Sequence, residues 1–94
     1  MKLKNICTIR VNKIKEDSLK AGTIGIVTAG VNMGKVEILT EDSSNMYLIG
    51  INSDQAKVSN KQLCEILQNM DLKKIARGNT LPRIFSNDVM ELIV

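Results

Sequence analysis

The sequence predicts a mainly β domain with one helix, an α+β fold in a single unit of residues 1–94. Three observations predict it. Short β-branched segments alternate apolar and polar residues between residues 5 and 52. The spacing of apolar residues changes to three and four at Ser59. An apolar segment then returns after Pro82. The chain divides accordingly into a strand-rich portion over residues 1–58, a helix over 59–78 and a closing strand over 83–94.

Residues 5–15, NICTIRVNKIK, place Cys7, Ile9 and Val11 on one face and Thr8, Arg10 and Asn12 on the other, which predicts the first strand. Residues 16–22, EDSLKAG, gather charged and small residues and end in glycine, as a loop does. TIGIV from Thr23, KVEILT from Lys35 and MYLIGIN from Met46 are short, β-branched and bounded by Gly, Asn, Asp or Ser. They read as three further strands, connected in a meander. At Ser59 the residues SNKQ have the form of a capping box, in which the Ser59 hydroxyl accepts from the Gln62 amide while the Gln62 side chain reaches back. Leu63, Ile66, Leu67, Met70 and Ile75 follow at helical spacing, and Gly78 with Pro82 supplies a stop. This predicts an amphipathic helix of about four or five turns. RIF and VMELIV beyond Pro82 are too apolar for a free tail and predict a fifth strand returning to the sheet.

Composition narrows the function. At 94 residues there is room for one core and one site of any size. No histidine is present, which removes the commonest general base and the commonest metal ligand. Cys7 and Cys64 are far apart and lack a metal-binding spacing, so they read as two buried thiols in a reducing compartment. The neighbouring carboxylates Glu16-Asp17 and Glu41-Asp42 lie in turn segments, where adjacent side chains splay into solvent. No catalytic residue, metal site or cofactor is expected, and the chain reads as non-enzymatic. Lys2-Leu3-Lys4-Asn5 interrupts the apolar run that a secretory signal needs, and no window is long and apolar enough for a membrane span, so a cytoplasmic protein is expected. Aromatic residues make up only 2 % of the chain, Tyr47 and Phe85, so aromatic stacking on bases and aromatic anchoring of partners both lose their usual tool. Met46, Met70 and Met90 fall in apolar segments and read as core.

The glycine-rich stretch TAGVNMGKVEIL, residues 28–39, is close in form to phosphate-holding loops. A Walker loop needs four residues between its glycine and Gly-Lys, with Ser or Thr next; here there are three, and Val36 follows. The stretch reads as a hairpin turn in which Gly30, Asn32 and Gly34 supply positive φ.

A first strand, a charged loop ending in KAGTIGIV, then GKVEIL and MYLIGI, resembles the small SH3-like barrels in which Gly-Thr-x-Gly-x-Val opens the second strand. The resemblance implies a barrel of about five strands with the helix before the last; an α+β fold with the helix packed across an open sheet is the alternative. Ala29-Gly30 and Gly34-Lys35-Val36 further resemble the KOW motif of ribosomal and transcription-elongation proteins. Glu37 stands where that motif commonly carries glycine, and Val31-Asn32-Met33 lacks its basic residue, so Lys35 alone is carried over as a nucleic-acid contact.

Charge supplies the remaining candidates. The net charge is +3, with basic residues concentrated in the first strand and its loop. Arg10, Lys13 and Lys15 form one basic group and Lys73 and Lys74 a second; with Lys35 these are the candidate nucleic-acid contacts. Lysines at a sheet edge also prevent edge-to-edge pairing, and cations suit a helix C-terminus. In ARGNTLPR, residues 76–83, Arg77, Asn79 and Arg83 are the candidate ligand-binding residues, because two guanidinium groups near a loop suit a carboxylate or phosphate. Three functions follow. The first is a protein-binding module, such as an adaptor or inhibitor of a larger bacterial or phage assembly, whose partner is another protein. The second is a nucleic-acid or ribosome-associated protein, and the third a small nucleotide-binding protein. Self-association fits all three, since VMELIV makes an edge strand that a second subunit would cover.

Overall fold

The computed structural model describes all 94 residues as a small α+β domain. Four strands, β1 (Cys7–Val11), β2 (Ile24–Val27), β3 (Val36–Ile38) and β4 (Leu48–Ser53), form one antiparallel sheet in the order β1-β4-β2-β3. Two helices follow, α1 (Asn60–Gln68) and α2 (Ser86–Met90), with 3-10 turns at Leu3–Asn5 and Leu72–Ile75. Neither helix is long and apolar enough to cross a membrane.

The period-two pattern of the strands becomes three rows across the sheet. Ile9, Ile51, Ile24 and Ile38 are register partners in one row, and Val11, Ile49, Ile26 and Val36 in the next but one. Both rows face the core, which is completed by Leu63, Cys64 and Leu67 of α1 and by Leu3, Leu72, Ile84 and Val89. The row between them, Arg10, Gly50, Gly25 and Glu37, points to the opposite face. Its two central glycines leave a hollow there, filled over Gly50 by the buried Leu19 from the loop over residues 12–23 and over Gly25 by Leu39. A Cβ at position 50 would stand 2.6 Å from a Leu19 methyl carbon, closer than two carbons can sit. The loop is held in place by backbone pairing of Leu19 with Ser43, at 2.7 and 2.8 Å.

Helix α1 begins as its sequence predicts. The Ser59 hydroxyl accepts from the Gln62 amide at 3.1 Å and Gln62 Oε1 accepts from the Ser59 amide at 3.2 Å, an arrangement that contributes about 1 kcal/mol. Its other end is tied to the sheet edge, where the Gln68 side chain donates to the Val36 carbonyl at 2.9 Å. Cys7 and Cys64 are buried and unpaired, and burial pushes both thiols up in pKa.

The connectivity differs from the expected meander. Strand β4 enters between β1 and β2, so consecutive strands β1 and β2 are not neighbours. Alternation specifies which face a residue takes, not which strand lies beside it. The sheet is open, with β1 and β3 as its edges, and has four strands where a closed barrel of about five was expected. Residues 83–94 supply the short helix α2 in place of the fifth strand. Helix α2 starts after an extended Phe85 without a side-chain cap and carries Asp88 in its first turn, and beyond it only an isolated bridge from Ile93 to Lys2 pairs the chain end, with the chain start. The apolar residues of VMELIV are largely used within the chain, as Val89, Leu92 and Val94 contribute to the core or pack against it. The helix expected over 59–78 stops at Gln68, and Asp71, with φ −87° and ψ 87°, breaks it before the 3-10 turn. Met70, Leu72 and Ile75 keep the apolar spacing because all three pack on the same core. The glycine stretch is a hairpin, in which β2 and β3 pair and Gly30 and Gly34 take φ of +88° and +92°; Asn32, expected to do the same, does not.

Two outcomes follow. Gly50→Ala lowers the stability by about 1 kcal/mol in urea denaturation, because Leu19 must shift to admit the methyl group. In a Leu19→Ala background the same substitution costs clearly less; equal costs in both backgrounds would refute the contact as the cause. The second concerns acid. Amides of Lys13 and Ile14 lower the pKa of Asp17, the Ala21 amide lowers that of Asp42, and Lys2 and Lys4 lower that of Glu91. A carboxylate whose pKa is lower folded than unfolded adds stability that is complete above the unfolded value and is lost as pH falls through the folded one. The urea midpoint therefore drops as pH falls below about 4, and Asp42→Asn makes that drop shallower.

Candidate functional site

One end of the sheet carries an assembly that composition gave no reason to expect. The residue that builds it is Thr28, immediately after β2. Its amide donates to the Tyr47 carbonyl and its carbonyl accepts from the Ile84 amide, both at 2.9 Å. These bonds bring the approach to β4 and the segment after Pro82 to the same sheet end. That segment is itself clipped into a loop, since Arg77 and Arg83 exchange backbone hydrogen bonds at 2.8 and 2.9 Å around Gly78, whose φ is +112°.

The chain's two aromatic residues meet there. The Arg83 guanidinium lies 5.9 Å from the Tyr47 ring centroid and 6.0 Å from that of Phe85, and the Arg77 guanidinium lies 6.0 Å from Phe85. Each such contact at an exposed position contributes about 0.5–1 kcal/mol. Around them stand Met46, Tyr47, Leu81 and Phe85, at 53, 56, 82 and 47 % exposure, an apolar group left in water. Two hollows open beside this group and share Arg83 as a wall. One, of about 600 Å³, is lined by Ala29, Gly30, Tyr47, Leu81, Pro82 and Arg83. The other, of about 260 Å³, runs past Met46, Phe85 and Arg83 to Asn12 and Thr28.

The two arginines differ in their commitments. Arg77 is ion-paired to Asp88, whose hydrogen bond and charge raise the arginine's pKa. Arg83 has no carboxylate partner; the chain's ion pairs are Lys2 and Lys4 with Glu91, Lys20 with Asp42, Lys35 with Glu37, and Arg77 with Asp88. The Thr28 hydroxyl is also uncommitted: it is buried, lines the smaller hollow and has no hydrogen-bond partner in the protein. A buried hydroxyl left in that state costs about 1–3 kcal/mol. The neighbouring Asn12 is spent, its side-chain amide donating to the carbonyls of Ser43 and Asn45 at 3.1 Å each.

The sequence-derived candidates are divided by the fold. Arg77 and Arg83 come together, and Asn79 stands exposed in the loop between them without a side-chain hydrogen bond. Arg10 lies exposed on edge strand β1, and Lys13 and Lys15 are exposed in the loop beyond it. Lys35 precedes β3, the opposite edge, and lines a hollow of about 280 Å³ with Lys73 and Asp71. Lys74 is exposed beside Lys73. Three strand spacings separate the two edges, about 14 Å, so the six basic candidates do not form one stripe.

Tyr47, Phe85, Leu81 and Thr28 are functional candidates that sequence reasoning did not select, and Met46, expected in the core, is exposed. A weak signal existed: Tyr47 and Phe85 each stand immediately before a regular element, where a side chain escapes the alternation that would bury it. No protein-family model and no curated protein sequence matches this chain.

Proposed function

We propose that this chain is a non-enzymatic protein-binding module of the cytoplasm, an adaptor or inhibitor of a larger bacterial or phage assembly, and that it contacts its partner through Tyr47, Leu81, Arg83 and Phe85. The observation that carries the reading is the gathering of both aromatics, Leu81 and an arginine, largely exposed, at one sheet end. Aromatic and arginine side chains supply most of the energy of protein interfaces, and a contiguous exposed apolar group rimmed by polar residues marks such a surface.

The alternative, a nucleic-acid or ribosome-associated protein, draws on the SH3-like and KOW resemblances and on Lys35 and Lys73 in one hollow. Glu37, 3.9 Å from the Lys35 ammonium, and Asp71 in the same hollow weaken its pull on a phosphate chain. The nucleotide-binding alternative draws on Arg77 and Arg83, but Arg77 is held by Asp88. Self-association is compatible with all of these.

The test is affinity purification from the source cell with wild type and with Tyr47→Ala/Phe85→Ala. Wild type recovers a protein partner that survives nuclease treatment and high salt. The double variant, with its amide spectrum otherwise intact, loses it, since each anchor contributes about 2 kcal/mol, or about thirtyfold in affinity. Recovery of nucleic acid that washes away with salt, and is lost on neutralising Lys35 and Lys73 instead, decides for the alternative.

A further inference from the structure

Resting on that reading, we propose that the partner presents an acidic side chain within an otherwise apolar segment, with its carboxylate on Arg83 and an adjoining side chain in the hollow walled by Thr28. Charge complementarity carries the assignment. Arg83 borders both hollows, and no acidic residue lines either. It is the one arginine of the 76–83 loop without a carboxylate, and its guanidinium lies about 6 Å from the centroids of both rings. A planar guanidinium beside two rings and free of any carboxylate presents its donors to an incoming carboxylate in two-point geometry.

A second observation points into the smaller hollow. Thr28 is 5 % exposed and its hydroxyl is unpartnered, in a hollow whose apolar lining, Met46 and Phe85 among it, is interrupted by Asn12, Arg83 and Ser86. A mixed hollow of this kind takes an apolar side chain with one polar atom, such as a backbone carbonyl beside it, which the Thr28 hydroxyl meets as donor after turning out of its buried position.

The same features argue against other occupants. A second copy of this chain docked about a two-fold axis would bring Arg83 towards Arg83 with no carboxylate at either hollow to separate them. A single-stranded nucleic acid needs open ring faces and a run of cations, whereas here one guanidinium already lies over both rings and Lys35 and Lys73 line a separate hollow.

The experiment is selection of short random peptides displayed on phage against the intact protein at physiological salt, followed by affinity measurement of the selected peptides in solution. The expected result is enrichment of Asp or Glu beside apolar residues. Affinity then falls about tenfold for Arg83→Gln and equally on changing the peptide's Glu to Gln, with no further loss when both are changed. Thr28→Val, a change of shape by no more than one atom type, lowers it about threefold or more. Each variant's amide spectrum is compared with wild type beforehand, so that a folding defect is not read as lost binding. Apolar peptides without acidic preference that still depend on Phe85 would overturn the acidic assignment and leave the interaction surface standing. Peptides indifferent to both Arg83 and Phe85 would overturn both. Failure to select any peptide, or preferential binding of oligothymidylate, overturns the acidic assignment as well.

Discussion

The register of the sheet is the constraint on which the other features depend. Two rows of β-branched side chains face the core, and the row between them, Arg10, Gly50, Gly25 and Glu37, is one residue out of phase. A slip of one residue in β4 would turn Ile49 and Ile51 towards solvent and present glycine to the core, so the pairing has a single solution. The paired glycines at the middle of the outer row in turn make room for Leu19. The loop carrying Leu19 must cross that face of β4 on its way to β2, which matches a sheet in which β1 and β2 stand on either side of β4. The second face is thus packed by two leucines outside the strands, Leu19 over Gly50 and Leu39 over Gly25, and not by a second layer of regular structure.

Much of this was legible in the residues and some of it was not, for identifiable reasons. The four strands, the hairpin at Gly30 and Gly34, and the capping box at Ser59 are local, each set by side-chain alternation, backbone freedom or one reciprocal pair of hydrogen bonds. Strand order is not local: nothing in MYLIGIN distinguishes a strand beside β3 from one between β1 and β2. The helix end is misplaced because Met70 and Ile75 continue the apolar face of Leu63, Ile66 and Leu67 towards Gly78 and Pro82, while the chain passes through a non-helical Asp71. At the C-terminus, Val89, Leu92 and Val94 are apolar as a strand would require, yet Val89 lies in the helix turn Ser86–Met90 and reaches the core from there.

The candidate site was legible only in its basic part. Arg77 and Arg83 could be selected because two guanidinium groups flank a Gly-Pro loop. Their different fates could not, since Asp88 claims one and the two rings claim the other through tertiary contacts. A low aromatic count argued against aromatic recognition, but a count carries no positions. Two rings placed together at one sheet end by the backbone bonds of Thr28 act as a larger aromatic surface than the composition implies.

The backbone clip between Arg77 and Arg83 bears on time as well as on geometry. Because the loop is closed by two hydrogen bonds of its own and Ile84 is tied to Thr28, the backbone that carries Arg83 is held on both sides. An encounter with such a surface does not wait for a slow rearrangement of the loop, and little chain freedom is surrendered on contact. Differences in affinity between one occupant and another are then expressed in how long each stays, and an occupant held mainly by one charge-assisted contact leaves quickly. On the proposed reading, residence time is the quantity that distinguishes one partner from another.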